Sequence, residues 1–143
     1  MGTDMTTFVE IWDDEEKKWK FVTKQHALRS YISFGRIGGV RDNYQGNYNY
    51  HCRGIPDGIS DDTERSLKNN EYYHSITYYS AKELLKTVIG HKLKYDEDEE
   101  AFPITFGIIM GDWDGTGAWD VMMKALIDHF GKKNIRFIFA FDS

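Results

Sequence analysis

The C-terminal end of the chain carries the pattern that most constrains the fold. Large apolar side chains stand there at every second position: Ile135, Phe137, Phe139 and Phe141. This period of two predicts a β-strand. The preceding apolar side chains, from Trp119 to Phe130, recur at helical spacing, and Gly131 is a suitable stop. A helix followed by a strand predicts that helices pack on a sheet.

The N-terminal half predicts further elements. Residues 7–23 alternate in two short runs around a charged turn at 13–18, which predicts a β-hairpin. Residues 24–40 have apolar side chains at helical spacing and predict a helix, although glycines weaken its later part. Residues 41–79 are rich in Asn, Gly, Asp and Tyr and have no sustained period. They predict a long irregular loop, which in a compact domain favours a functional role.

The second half adds one more helix and one more strand. Ser80 and Glu83 form a capping box ahead of apolar side chains at helical spacing, and Gly90 fits the end of that helix. The apolar run at 104–110 predicts a short buried strand. The element order therefore predicts a single α+β domain over residues 1–143. We expect a small, mainly antiparallel sheet with two or three helices.

Bulk properties exclude several classes of protein. The chain has 143 residues and a net charge of −5. The five acids of the run 96–100 account for that charge, so the remainder is close to neutral, which argues against a duplex nucleic-acid partner. The single cysteine, Cys52, permits no intrachain disulfide and fits a reducing compartment. No apolar run is long enough to predict a membrane partner. A cytoplasmic location is expected, and a homo-oligomer stays open.

The arginines are unevenly distributed. Four of the six fall within 25 residues: Arg29, Arg36, Arg41 and Arg53. Three tyrosines stand among them: Tyr44, Tyr48 and Tyr50. Guanidinium groups bind phosphate and aromatic rings stack on bases, so this composition suits a small anionic, nucleotide-like ligand. The alternative is that these arginines pair with the chain's own carboxylates at the surface.

The stretch from His51 to Ser60 lies inside this segment. Pro56 and the neighbouring glycines favour one irregular backbone shape, and Arg53 and Asp57 place charges within it. Such loops on a rigid scaffold often have a functional role. Two interpretations stay open. The stretch forms one wall of a binding site, or it is a structural contact in which Arg53 and Asp142 fix the loop to the last strand.

One stretch resembles a calcium loop. Asp112, Asp114 and Thr116 have the spacing of the first ligands of an EF-hand, with Gly117 at the turn. However, Met123 occupies the twelfth position, where calcium needs a carboxylate. The alternative is an Asp-Gly turn before a helix N-terminus. We predict no cofactor.

His74 and Ser75 are the pair with the chemistry for acid–base catalysis, since an imidazole beside a hydroxyl can move a proton. Adjacent residues of a strand point to opposite faces, so the two need not act together. The usual nucleophile, phosphate-loop and dinucleotide motifs are absent from the sequence.

These stretches together resemble a group of small proteins common in tailed-phage and prophage genomes. The matching segments follow one order along nearly the whole chain: Arg29-Ser30-Tyr31 with Phe34, Val40-Arg41, Arg53 to Ser60, His74-Ser75 with Glu83-Leu84-Leu85, and Arg136 to Ser143. Ser30, Cys52 and Ser143 depart from the family pattern, as does the spacing around Asp57. The resemblance implies a phage origin and the cytoplasm of an infected bacterium. It supplies no mechanism.

The resemblance also implies that distant polar residues belong together: Arg41, Arg53, Asp57, Ser60, His74, Ser75 and Asp142. The main hypothesis is a non-catalytic protein that sequesters a nucleotide-like bacterial immune signal. One alternative is a hydrolase that uses His74 with Asp57 or Asp142. Another is an inhibitor that contacts a host immune protein directly. The predicted ligand-binding residues are Arg36, Arg41, Tyr44, Tyr48 (or Tyr50), Arg53, Asp57, Ser60, His74, Ser75 and Asp142.

Overall fold

The computed structural model describes residues 2–42, 48–93 and 102–143. These residues confirm the α+β class, with a four-stranded antiparallel sheet and several helices. The strands are β1 (Asp4–Asp13), β2 (Lys18–His26), β3 (Tyr73–Ser80), β4 (Lys92–Leu93), β5 (Phe102–Pro103) and β6 (Ile135–Asp142). The helices are α1 (Tyr31–Gly38), α2 (Asp61–Lys68), α3 (Ala81–Thr87), α4 (Phe106–Met110) and α5 (Ala118–Phe130). Short 3-10 turns lie at Val40–Asp42 and Tyr48–Tyr50.

The main sheet has the strand order β2-β1-β6-β3, and every neighbouring pair is antiparallel. Strand β6 is central and almost wholly buried, so the alternating C-terminal pattern does form the middle of the sheet. Strands β4 and β5 form a separate two-stranded ladder. None of the helices in the described residues is long and apolar enough to cross a membrane.

Side chains of β6 enter a hydrophobic core on each face of the sheet. On one face, Phe137, Phe139 and Phe141 pack with buried side chains of α1, α3, α4 and α5. On the other face, Ile138 and Ala140 pack with Phe8 of β1 and Leu67 of α2. The second layer is thin because α2 buries few side chains. Both faces of β6 are therefore covered, as a central strand in a layered domain requires.

Several predicted elements are confirmed. The hairpin is present and longer than expected, because the pairing of β1 with β2 continues to Thr6 and His26. Helix α3 begins at the predicted capping box, with the Ser80 and Glu83 side chains each bonded to the other's backbone N–H. Helix α5 ends at Gly131.

The helix expected over residues 24–40 is shorter than predicted. Its first residues belong to β2, since cross-strand bonds to β1 outweigh the local helical spacing. Helix α1 starts only at Tyr31, after the Ser30 side chain accepts a hydrogen bond from Ser33 N–H. It ends at Gly39, which has the left-handed conformation that suits glycine.

The strand predicted at 104–110 is wrong, because Phe106–Met110 is helix α4. Thr105 caps its first turn by accepting from Ile108 N–H. The Asp120 carboxylate, from α5, accepts from Phe106 N–H at 3.0 Å and from Gly107 N–H at 3.2 Å. A tertiary contact therefore satisfies the free amides of a helix that is too short to be recognised by periodicity.

The prediction that residues 41–79 are irregular throughout is also wrong. The segment contains helix α2 and most of strand β3. Helix α2 is strongly polar and buries only Thr63 and Leu67, so its apolar face is too narrow to give a clear period. Strand β3 contains a bulge between His74 and Thr77 that interrupts its alternation.

Candidate functional site

Arg53 lies in a structural contact and pairs with neither Asp57 nor Asp142. Its Nη1 donates to the Tyr78 carbonyl at 2.9 Å and contacts both Glu83 carboxylate oxygens at 3.3 Å. The guanidinium also lies over the Tyr78 ring at 4.0 Å from its centroid and near the Tyr50 ring at 5.2 Å. It therefore binds to the chain itself.

This contact covers the open edge of β3. The Gly54 N–H donates to the Ile76 carbonyl at 2.8 Å, and the Arg53 N–H donates to the Thr77 hydroxyl at 3.3 Å. With Arg53 Nη1 on Tyr78, the loop supplies donors to two carbonyls that a further strand would otherwise bind. The loop before Pro56 thus occupies the unpaired edge of β3 and satisfies two of its carbonyl groups.

The other end of the loop is held by a buried ion pair that the sequence did not predict. Arg136 of β6 donates to Glu10 Oε1 of β1 from Nε at 2.9 Å and from Nη2 at 2.7 Å. Its Nη1 donates to the Asp57 carbonyl at 2.9 Å. Glu10 Oε2 accepts from Ser60 N–H at 2.9 Å and from the Thr63 hydroxyl at 2.8 Å. Asp57 and Ser60 therefore contribute backbone groups to a structural contact.

The other predicted phosphate-binding arginines also contact the chain. Arg36 Nε donates to the Thr87 carbonyl at 2.7 Å, and its Nη2 lies 3.2 Å from His91 Nδ1. Arg41 donates to the Tyr31 hydroxyl at 3.2 Å and lies over that ring.

The predicted tyrosines have separate positions. Tyr48 is exposed and packs edge-on against His51, and the Tyr50 ring lies near Arg53. Tyr44 lies outside the described residues. Arg36 and Arg53 both contact helix α3, at Thr87 and at Glu83, whereas Arg41 contacts Tyr31 of α1.

His74 and Ser75 do contact each other. Ser75 lies in the bulge with a positive φ of 51°, which turns its hydroxyl back to 2.9 Å from His74 Nδ1. His74 Nε2 lies 2.8 Å from the Ser143 hydroxyl. Neither ring nitrogen bonds a carboxylate of the described residues.

The sheet register separates His74 from Asp142. His74 pairs opposite Phe141, whereas Asp142 pairs opposite Tyr73, so the two side chains point to opposite faces of the sheet. The hydroxyls of Ser75 and Ser143, and not the carboxylate of Asp142, lie beside the His74 ring.

The calcium-like loop uses its oxygens internally. Asp112 Oδ2 accepts from Gly117 N–H at 2.7 Å, while Oδ1 accepts from the N–H and the hydroxyl of Thr116 at 3.3 Å each. Asp114 is exposed. Among the described residues, no group of three or more His, Cys, Asp or Glu side chains is arranged for a metal ion. The geometry matches the alternative of an Asp-Gly turn before α5.

A polar cleft lies where β1, β2 and β6 meet the residues that precede β3. Its volume is about 300 Å³. 

The lining residues share polar or aromatic side chains, apart from one alanine: Asp4, Thr6, His26, Ala27, Asn70, Tyr73, Trp113 and Asp142.

Hydrogen bonds hold the inner polar groups of this cleft in place. Asn70 Nδ2 donates to Asp142 Oδ2 at 3.1 Å. The Tyr73 hydroxyl donates to Thr6 Oγ1 at 3.1 Å, and Thr6 Oγ1 lies 3.5 Å from His26 Nδ1. The polar side chains therefore converge from four segments of the chain, which is typical of a small-molecule site.

The rim of the cleft combines an aromatic ring with an ion pair. Trp113 is 71% exposed, so its indole is not part of the core. Asp4 accepts from Arg29 Nη2 at 2.8 Å and from Nε at 3.1 Å. The turn at Gly111, where a Cβ atom would collide with the His26 carbonyl, brings Trp113 to the end of β2. A planar ligand can stack on the indole while its anionic part faces Arg29.

Of the cleft residues, the sequence predicted only Asp142. The others lie far apart in the chain and have no shared motif. A wider groove of about 780 Å³ lies between the hairpin and the end of α5, and its lining includes Trp12, Val22 and Phe130. We place the candidate site in the smaller cleft because its polar groups converge.

Comparison with known protein families, with curated proteins and with solved structures finds no match.

Proposed function

We propose that this is a non-catalytic binding protein that holds a small nucleotide-like ligand in the polar cleft. The observation that carries the proposal is the convergence of Asp142, Asn70 and Trp113 on one small concavity. An indole stacks on a base of any kind, and a carboxylate accepts hydrogen bonds from its edge. The cleft volume is at the lower end for ligand sites, so it suits a base better than a whole dinucleotide.

The phosphates of such a ligand would lie outside the cleft, near Arg29. That guanidinium is half-exposed and already faces Asp4. A phosphate that approaches it gains charge-assisted hydrogen bonds to the guanidinium. The site therefore differs from the predicted arginines and tyrosines, which are Arg36, Arg41, Tyr44, Tyr48 and Arg53. It retains Asp142 from the predicted set.

Sequestration is favoured over turnover by the surroundings of His74. The ring bonds two hydroxyls, lies across the sheet from Asp142 and has no carboxylate to orient it within the described chain. We therefore expect ligand recovered from heated protein to be chemically intact. Chromatography of the released material separates a binding protein from a hydrolase.

The test is calorimetry with cyclic dinucleotides, cyclic trinucleotides and cyclic ADP-ribose isomers. We expect heat with at least one of them and a loss of affinity in Trp113→Ala. Phe102→Ala is the matched control, since Phe102 is 70% exposed and lies outside the cleft. An absence of heat with every compound contradicts the proposal.

A second candidate function is direct contact with a host protein, and the outer face of α5 favours it. Val121 is 71% exposed, and Met122 and Phe130 are also exposed on this helix. Exposed apolar side chains on one helix are typical of protein-binding surfaces. Capture of a host protein that is lost in Val121→Lys and retained in Trp113→Ala supports this candidate. Capture by both variants alike contradicts it.

A further inference from the structure

We infer that the polar cleft selects a guanine-type base, whose edge presents two adjacent N–H donors. This inference rests on the proposed function and adds the identity of the base. The group that decides it is Asp142, at the end of β6. Trp113 contributes affinity for any base, because every base has a face that stacks.

The hydrogen-bonding capacity of Asp142 is only partly used. Asn70 donates to Oδ2, and no other bond to this carboxylate is formed by the described residues. The Asn70 carbonyl oxygen already accepts from Tyr72 N–H at 3.0 Å. An ionised carboxylate accepts and cannot donate, so the free capacity at this end of the cleft is for a donor.

The four common bases differ in what they present to such a carboxylate. Guanine offers the N1–H and the N2 amino group side by side, and both can donate to one carboxylate. Adenine and cytosine each place an unprotonated ring nitrogen beside their amino group, and that lone pair would face carboxylate oxygen. Uracil has one N–H between two carbonyl oxygens. Only guanine satisfies Asp142 without repulsion, which is how a polar site rejects close analogues.

The partial burial of Asp142 strengthens this selection. The carboxylate is half-buried and held by Asn70 Nδ2, so it is oriented before the ligand binds. A charge-assisted pair in such a position discriminates between bases by about ten- to a hundredfold. A base that leaves the carboxylate unpaired loses that advantage.

The experiment compares guanosine, inosine and adenosine 5′-monophosphates by calorimetry on the full chain. We expect guanosine monophosphate to bind at least tenfold more tightly than adenosine monophosphate. Inosine monophosphate lacks the N2 amino group and should fall between them. Asp142→Asn keeps the side-chain shape and adds a donor, so it should remove the preference for guanine. Asp114→Asn is the control, because Asp114 is an exposed carboxylate outside the cleft.

The outcomes separate the inference from the proposed function. If adenosine monophosphate binds as tightly as guanosine monophosphate, the inference is overturned and the proposed function stands. If Asp142→Asn keeps its unfolding midpoint and its preference for guanine, the inference is overturned as well. If no nucleotide binds, linear or cyclic, the proposed function fails with it.

Discussion

At the scale of single residues, Glu10 of β1 and Arg136 of β6 form a buried ion pair. Both side chains are buried, and they face each other directly in the β1–β6 register. Burial lowers the pKa of Arg136, and its hydrogen bonds to Glu10 oppose that shift. Removing one partner leaves a buried charge without its counter-charge.

We expect Arg136→Leu to lower the free energy of unfolding by about 3–5 kcal/mol. Glu10→Leu should cost more, because Glu10 also accepts from Ser60 N–H and from the Thr63 hydroxyl. The double variant should cost less than the sum of the two, since neither charge remains. Urea unfolding of all four proteins measures this coupling, and additive costs would contradict it.

Tyr79 gives a pH dependence whose sign follows from its burial. Its hydroxyl donates to the Ile37 carbonyl at 2.6 Å, and burial raises its pKa above the ordinary value. The folded state therefore favours the neutral phenol. This contribution is complete below the unfolded-state pKa of about 10 and is lost as the pH rises through the folded-state pKa.

We expect stability above pH 10 to fall by up to about 1.4 kcal/mol per pH unit through this one group. Tyr79→Phe should flatten that slope and cost about 1 kcal/mol at neutral pH through the lost hydrogen bond. Chemical unfolding from pH 8 to 11 compares the two proteins. Equal slopes would show that Tyr79 does not contribute.

Some of these residues could be anticipated from the sequence and others could not. Arg53 and Asp142 stood out through their motifs, but a motif does not state which atoms a side chain contacts. Arg136 was visible as a charge inside an apolar strand, and only the sheet register reveals its partner Glu10. Asn70 and Trp113 had no such signal, because a position in a cleft depends on the tertiary fold.

At the scale of elements, the cover on the β3 edge is the main consequence of the Arg53 loop. Arg53→Ala removes a donor to the Tyr78 carbonyl and the partner of Glu83. We expect a loss of about 1–3 kcal/mol in stability and faster hydrogen exchange at Gly54 N–H. Arg65→Ala is the control, since its pair with Asp62 is exposed and should contribute under about 1 kcal/mol.

The same variant distinguishes the cleft from the predicted arginine site. If the ligand binds in the polar cleft, Arg53→Ala retains its affinity at temperatures where the protein is folded. A selective loss of affinity in folded Arg53→Ala would show that the ligand binds at the predicted arginines and tyrosines around Arg53.

Elements with strong local signals were predictable, and those that depend on tertiary contacts were not. The capping box of α3 and the long apolar stripe of α5 are local features. Helix α4 has only five residues and depends on the Asp120 carboxylate for part of its N-terminal capping. Its apolar sequence suits a buried strand equally well, and periodicity cannot separate the two over such a length.

At the scale of the whole molecule, residues from the first and the last strand of the sequence line the cleft together. Asp4 and Asp142 are paired across β1 and β6, while Asn70 and Trp113 come from connections between elements. The cleft therefore exists only when the sheet and its connections are formed. A ligand in it binds the folded state and has no equivalent site in the unfolded chain.

This arrangement predicts that ligand binding stabilises the whole fold. At a ligand concentration 100 times the dissociation constant, the free energy of unfolding should rise by about 2.7 kcal/mol. For a chain of this length, that corresponds to a rise of about 8–12 °C in the unfolding midpoint.

Circular dichroism in the far and near ultraviolet should report the same shifted transition, because the residues of the cleft span the sheet. Trp113→Ala should unfold at the wild-type midpoint without ligand and show a smaller shift with it. A shift confined to the near-ultraviolet signal would mean that the ligand orders only the surroundings of one aromatic side chain, and it would contradict a cleft built from both ends of the chain.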